Sequence, residues 1–391
     1  MKEDKINVLH IANSYGGTAV FKNMFQKLDD LSVQQTVFVP LNINNRYRVG
    51  SHNIDFKVKE SSIIYNTSLR YIHKFFYGLK IFTILKSVEK ELGNLSNYNL
   101  IHASTLCVDG AVAYELGKKH KIPYVISVRG TDVNFYYKKF FLRRSYFHKI
   151  LENASSIIFI SPSLKKQFIN QIPQKLYNNI KSKITILPNG VDNVFSKNIT
   201  APSKMNNPIK VLYYGGIQKN KNLHSTVASI KLLKSKGLNI EYTIIGKGLL
   251  HRRTTPDYIK LIDDLNRLNQ WIRIFPSMSK EELQNEISKY DIFVMPSFSE
   301  TFGLAYVEAL TQGIPIVYSK GQGFDGVFPE GFVGYSVAAE NIDDISEKIE
   351  LIIKNYQSIC SNISTLDFNQ FDWGNIADKY KQIYLLSLKN K

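Results

Sequence analysis

Two glutamates with seven residues between them, Glu300 and Glu308, stand where an apolar run gives way to a helix, in Met295-Pro-Ser-Phe-Ser-Glu-Thr-Phe-Gly-Leu-Ala-Tyr-Val-Glu-Ala-Leu-Thr-Gln-Gly-Ile-Pro315. These residue types predict a strand ending at Pro296, a small polar loop carrying Glu300 and Thr301, and a helix that begins near Gly303 and closes at Gly313. The first amides of such a helix lack intrahelical acceptors. The N–H groups of Phe302, Gly303 and Leu304, added to the helix dipole, therefore make a seat suited to a diphosphate. Gly303 permits close approach to the backbone. Glu308 falls about one and a half turns into the helix, where its carboxylate can accept hydrogen bonds from two neighbouring hydroxyls such as those of a ribose. Glu300, ahead of the seat, is within reach of a sugar. Two solvent-facing glutamates behind a Ser299 cap would account for the same residues.

Other loops of the second half carry compatible chemistry. Leu212-Tyr-Tyr-Gly-Gly216-Ile-Gln-Lys-Asn-Lys221-Asn222 places Gly215 and Gly216 after a strand and follows them with Lys219 and Lys221. Ile244-Ile-Gly-Lys-Gly248 supplies a second glycine turn at Gly246 and Gly248, and Phe275-Pro-Ser-Met278 is a short loop after a further strand. In the first half, Gly16 and Gly17 follow the first strand and precede a helix, and Arg129-Gly-Thr-Asp132 follows another strand.

The Glu300–Glu308 stretch, Ser-Glu-Thr-Phe-Gly-Leu with Glu-Ala-Leu and Gly-Ile-Pro-Ile-Val behind it, resembles the Glu-seven-Glu signature of retaining glycosyltransferases of family 4. Ile186-Leu-Pro-Asn-Gly-Val-Asp192 resembles the segment that closes the first domain in that family, so the likeness runs over most of the chain. It implies the α/β GT-B fold, two doubly wound Rossmann-like domains facing across a cleft, with the donor nucleotide on the second. It further implies that Glu300 orients the donor sugar, Glu308 holds the ribose, Lys221 holds the diphosphate, and Gly16, Gly17, Gly215, Gly216, Gly246, Gly248, Phe275, Met278 and Thr301–Leu304 line the donor. Three departures stand out, the first being Pro276 where the family's base-side loop usually has glycine. Gly216 replaces the family's Arg, leaving Lys221 as the main cation with Lys219 as substitute, and Arg129 replaces the His of His-Gly-x-Asp, beside Asp132 in the catalytic set. No Asp-x-Asp motif calls for a metal, and no cofactor is required beyond the nucleotide-sugar cosubstrate, a UDP-sugar being favoured.

These loops need elements to hold them. Short β-branched segments alternate with amphipathic ones, the pattern of parallel sheets covered on both faces. Strands are predicted at Ile6–Ile11, Thr36–Leu41, Leu100–Ala103, Tyr124–Val128, Ser156–Ile160 and Ile184–Leu187, then at Lys210–Tyr214, Glu241–Ile245, Ile272–Phe275, Asp291–Met295 and Pro315–Tyr318. The polar stretch from Ser196 to Pro208 reads as a linker. Expected domains are 1–200 for the acceptor and 207–372 for the nucleotide sugar, followed by a C-terminal helix at 373–391 packing back on the first domain.

Composition narrows the function class. A hydrophobic content of 44% with 21% charged residues is that of a globular chain. Two cysteines far apart argue against a disulfide framework or a zinc site. No secretory leader or membrane span is apparent, so a cytoplasmic protein, peripheral on the inner face of the cell membrane, is expected. Residues 1–200 hold 28 Lys+Arg against 13 Asp+Glu, a net of +15, whereas residues 201–391 hold 22 against 20, a net of +2. Only the first half is built to meet an anion. An anionic membrane surface and a glycan or lipid-linked acceptor are the expected partners, and the basic, aromatic segments Arg70–Lys80 and Phe135–Lys149 are where a bilayer would be met. Aromatics packed into the core with cations snorkelling outward are the other account. A nucleotide-sugar epimerase and a nucleic-acid-binding protein are the alternative functions. The second lacks any helix-turn-helix, RNA-recognition or zinc signature, and no nucleic-acid partner is expected.

Overall fold

The computed structural model describes residues 5–197, 204–246, 260, 264, 267 and 270–389. The described strands form two wholly parallel sheets. The first runs β3-β2-β1-β4-β5-β6-β7, from β1 (Asn7–Ile11), β2 (Gln34–Asn42), β3 (Ser62–Leu69), β4 (Leu100–Ala103), β5 (Tyr124–Val128), β6 (Ser156–Phe159) and β7 (Ile184–Ile186). The second runs β10-β9-β8-β11-β12-β13, from β8 (Ile209–Tyr214), β9 (Ile240–Ile245), β10 (Ile272–Phe275), β11 (Ile292–Met295), β12 (Ile316–Ser319) and β13 (Gly334–Val337). Central strands such as β1, β5 and β11 are buried along their whole length, as strands covered by helices on both faces must be.

Strand order reverses between β1 and β4 in the first sheet and between β8 and β11 in the second. At such a point successive connections leave in opposite directions and open a crevice at the carboxyl ends of the strands. Two strands were not expected from the sequence. β3 is an edge strand whose residues are mostly half-buried, so it lacks the apolar run that marks a central one. β13 is four residues long and begins at Gly334, where a Cβ would lie 1.8 Å from the Ile316 carbonyl oxygen.

The chain divides into two compact units. One comprises residues 1–160, 164–189 and 373–391, the other residues 161–163 and 190–372. The division falls after Asn189 and not at residue 200. The Val191 amide donates to the Phe371 carbonyl at 2.9 Å, and the short helix Asn193–Lys197 packs on helices Lys280–Ile287 and Leu304–Thr311, which ties this stretch to the second unit. The helix Trp373–Lys389 buries Ile376, Ala377, Tyr380, Ile383 and Tyr384 in the core of the first unit. Each such Ile or Tyr stabilises the packing by about 1.5–3 kcal/mol, enough together to hold a terminal helix against fraying. Tyr384 also hydrogen-bonds the Nδ1 of the buried His102 at 2.8 Å.

Candidate functional site

In the second unit the predicted loops meet at the reversal of strand order. β8 delivers Gly215 and Gly216 and the 3-10 turn Lys219–Lys221, while β11 delivers Glu300 through Gly303. Gly215 has φ +138°, and a Cβ on Gly246 would lie 1.8 Å from its carbonyl oxygen. Two glycines thus let the ends of β8 and β9 abut. The Gly246 amide donates to the Phe275 carbonyl at 3.0 Å, which sets the exposed Phe275 and the half-buried Met278 along the same row of strand ends. Gly248 lies outside the described residues.

Glu300 and Lys221 are in contact. The Lys221 ammonium donates to the Glu300 carboxylate at 2.6 Å, with both side chains mostly enclosed. The other carboxylate oxygen accepts from the Thr301 amide at 3.0 Å. The loop after β12 braces this arrangement: Gln322 accepts from the Glu300 amide at 3.3 Å and the Gly323 amide donates to the Glu300 carbonyl at 3.0 Å. A Cβ on Gly323 would lie 2.7 Å from the Phe302 carbonyl oxygen, so only glycine fits there. Lys219, by contrast, is exposed and stands near His224, whose pKa it helps burial to lower. Lys221 is the cation that the turn delivers to the carboxylate. Beside Gly216, where an arginine was missing, the Gln218 side-chain amide comes within 3.0 Å of where a Cβ would be. That supplies a neutral donor in place of a fixed charge.

The helix Leu304–Thr311 opens on Gly303 at φ +88°, with no side chain capping it. Its first amides therefore face the loop uncovered by a cap, and a Cβ at Gly303 would collide with the Tyr306 ring at 2.4 Å. Phe302 contributes its backbone, while its buried ring packs on Phe324 and Phe371 and anchors the loop. Glu308 is partly buried, and loss of hydration pushes its carboxyl up to about 7. The Tyr214 hydroxyl and the Lys280 ammonium oppose that rise and Asp192, ion-paired with Lys280, adds to it. Tyr214 also donates to the Ala305 carbonyl at 2.6 Å, fixing the phenol against the first turn. Sequence reasoning missed Tyr214, Gln218, Lys280, Gln322 and Gly323. The loop after β12 was findable, because it too leaves the carboxyl end of a central strand.

The predicted residues of the first unit have different surroundings. The Asp132 carboxylate is fully buried and accepts from the amides of Leu106 (3.0 Å), Cys107 (2.9 Å) and Arg129 (2.9 Å). Burial raises its pKa against the pull of those three bonds. It staples the loops after β4 and β5 together and offers no oxygen to a substrate, which corrects its assignment to the catalytic set. Arg129 is partly buried, donates to Asn189 at 2.9 Å and to the Ser104 carbonyl at 3.4 Å, and lies 5.1 Å over the Phe21 ring. Its guanidinium is thus a fixed, largely desolvated cation. Gly16 and Gly17 form a 3-10 turn with ordinary negative φ, so conformational freedom is not why glycine stands there. Arg48 packs over both, at 3.2 and 3.5 Å from where their Cβ atoms would be.

Comparison with known proteins bears on the fold and the class of the protein. The model for glycosyltransferase family 4 matches residues 15–194, and that for glycosyl transferases group 1 matches residues 195–364. An uncharacterized glycosyltransferase of Methanocaldococcus jannaschii is 24% identical over 340 residues, covering 87% of this chain and 85% of the relative. A capsular polysaccharide biosynthesis glycosyltransferase of Staphylococcus aureus is 28% identical over 52% of this chain and 53% of its own length. The solved structure of HepE from Anabaena in complex with UDP superposes with a TM-score of 0.67 at 15% identity, covering 96% of this chain and 99% of that one. The protein is a glycosyltransferase with the GT-B fold. Its first half carries the family 4 domain and its second half the group 1 domain.

Proposed function

We propose that this enzyme transfers a sugar from a nucleoside diphosphate donor, a UDP-sugar in preference, to a hydroxyl of a glycan or lipid-linked acceptor, with retention of anomeric configuration. The observation that carries this reading is the Glu300–Lys221 pair, set at 2.6 Å in front of an uncapped helix N-terminus at the strand reversal. A diphosphate seated on the first amides of that helix would draw on Lys221 for its charge, freeing Glu300 to accept from sugar hydroxyls. Charge accumulates on the departing phosphate, so fixed N–H donors and an ammonium stabilise the transition state more than the ground state. The acceptor oxygen bonds to the anomeric carbon as the carbon–phosphate oxygen bond breaks. The acceptor proton passes to the departing phosphate oxygen on the same face, which yields retention. Glu308, one helical face away, accepts from the ribose.

UDP bound to HepE and the capsular role of the S. aureus relative support the donor base and a place in cell-surface polysaccharide synthesis at the inner face of the membrane. A thermal-shift screen over nucleoside diphosphates tests the donor side, with one selective stabiliser expected. Incubation with the matching nucleotide sugar and no acceptor separates transfer from isomerisation: a new nucleotide sugar would refute the transferase reading, and slow release of free diphosphate would support it.

A further inference from the structure

Two segments of the first unit combine nine cations with no acidic residue: 70–86 holds Arg70, Lys74, Lys80 and Lys86, and 135–149 holds Lys138, Lys139, Arg143, Arg144 and Lys149. The structure sorts their aromatics in two. Tyr77, Tyr137 and Phe147 are core, whereas Phe75 (65% exposed), Phe76, Phe82, Phe141 (63%) and Leu142 (84%) project into solvent. The segments adjoin, because the Tyr77 ring meets Phe140 at 5.6 Å and carries the Arg143 guanidinium 5.0 Å above it. Cations sit over the outer rings too, Lys74 on Tyr71, Lys86 on Phe82 and Lys139 on Phe135. An apolar face this exposed calls for a partner. Aromatics mixed with cations and no anion suit the headgroup layer of an acidic bilayer better than a protein surface, where charges of both signs meet.

The face opens into a cavity. About 370 Å³ in volume, it lies beyond the carboxyl ends of β1, β2 and β3, and Lys74 and Phe135 belong to both its lining and the exposed face. Arg48, Arg70, Lys74 and Lys80 line it, as do Leu41, Leu69, Tyr77 and Phe140, and no acidic side chain does. A π-helical turn at Asp132–Tyr136 brings Phe135 and Tyr136 to its wall. Lys80 is half-buried in that lining. Burial holds its ammonium below the usual lysine range, and the one carboxyl opposing that effect is Asp109, itself pushed up to about 7 by burial and held by the Asn13 amide. A partly desolvated ammonium that shares a cavity with three further cations and no carboxylate is stabilised by an incoming anion.

We propose that this face docks on an anionic bilayer and that the cavity receives the phosphate head of a lipid-linked acceptor from it. The proposal rests on the transferase reading and names its acceptor class: an amphiphile with a phosphate next to a hydrocarbon chain. The full-length chain is floated with vesicles of phosphatidylcholine, with and without phosphatidylglycerol. Wild type should float only with the acidic lipid, and the variant F75S/F141S/L142S should lose at least about tenfold in binding. If the triple variant melts early, L142S alone, altered at the most exposed site, should still weaken flotation. Equal flotation with both vesicles, or none with either, overturns the docking. The cavity is titrated with farnesyl phosphate, farnesol and inorganic phosphate. Farnesyl phosphate should bind at least about tenfold more tightly than either other probe, and Lys80→Gln should abolish that advantage. Inorganic phosphate binding as tightly as farnesyl phosphate would make the ligand a free anion and refute the lipid. UDP-induced stabilisation is followed alongside. Its absence in wild type with farnesyl phosphate binding intact would count against the donor assignment and leave this site standing.

Discussion

Replacing Glu308 by Gln should stabilise the unliganded enzyme at alkaline pH while weakening nucleotide binding, two effects of opposite sign from one atom change. The carboxyl is raised from 4.5 to about 7 because burial disfavours its charged form. The folded state therefore holds this proton more tightly than the unfolded chain. Its contribution is greatest below pH 4.5 and is lost as pH rises through about 7. A shift of this size corresponds to about 3 kcal/mol, which the residue's partial exposure reduces to about 1–2 kcal/mol. At pH 8 Glu308→Gln removes that cost, and the second unit should melt about 3–6 °C higher; at about pH 4, below the ordinary carboxyl value of 4.5, the gap should largely close. UDP affinity should move the other way. In the proposed site a ribose diol donates to the ionised carboxylate, so only that form should bind fully, and wild-type affinity should weaken about tenfold from pH 8 to pH 6 as the ionised fraction falls. The terminal phosphate of UDP titrates in the same range, which is why the difference between wild type and Glu308→Gln carries the information. Calorimetric titration at pH 6, 7 and 8 beside thermal melts measures both. A variant that binds UDP with the wild-type constant and the wild-type pH slope would refute the assignment of Glu308 to the ribose.

Three further perturbations follow from the same geometry. Lys221→Met should lower kcat by about a hundredfold or more with a smaller change in KM, and Lys221→Arg should restore part of it; unchanged kcat in Lys221→Met would remove the ammonium from transition-state stabilisation. Gly303→Ala must tolerate φ +88° and a clash at 2.4 Å with the Tyr306 ring, whose hydroxyl holds the Met295 carbonyl at 2.6 Å. A loss of about 2 kcal/mol or more in urea unfolding, with loss of UDP stabilisation, is expected, and wild-type behaviour in both would show the helix entry to be adaptable. In the first unit, burial lowers the His102 pKa to about 3, between Ser127 and Tyr384. The depressed pKa means that this stability is present above about 6.5 and is lost as pH falls toward 3, at about 1.4 kcal/mol per pH unit at most. Urea midpoints at pH 7, 6 and 5 should fall in wild type and less steeply in Tyr384→Phe; a flat wild-type profile contradicts the coupling.

Much of the fold was legible because a parallel sheet covered on both faces writes itself as isolated apolar runs. β1, β5 and β11 have no polar face to alternate with, so their ends could be placed within a residue or so. The same signal finds the edge strands β7 and β10, which keep short β-branched runs, and fails at the other two edges, β3 and β13. β3 mixes Asn66, Thr67 and Ser68 with apolar residues because one side of it has no neighbouring strand, and β13 is held by what Gly334 permits at Ile316 rather than by any run of its own. Gly303 was legible as a place of close approach, whereas Gly246 read as a turn residue and its closeness to the Gly215 carbonyl emerges only from the structure. Gly16 and Gly17, which the sequence places between a strand and a helix, have ordinary φ with an arginine lying across them.

Acidic residues after strands show why loop chemistry is harder to read than sheet chemistry. Asp132 and Glu300 both follow a buried strand within a few residues, and the same rule selected both as candidates. Their oxygens have opposite fates. Asp132 lies where three amides from its own loop and the adjoining one converge, and a short side chain satisfies them all, which leaves a buried staple. Glu300, longer by a methylene, spends one oxygen on the Thr301 amide and extends the other to Lys221, 79 residues earlier in the chain. Backbone amides saturate a carboxylate against a ligand, whereas a lone ammonium leaves it exchangeable, since a diphosphate can compete for the cation. The number of amides within reach, which no spacing reveals, is what separates a residue that holds a loop from one that can hold a sugar.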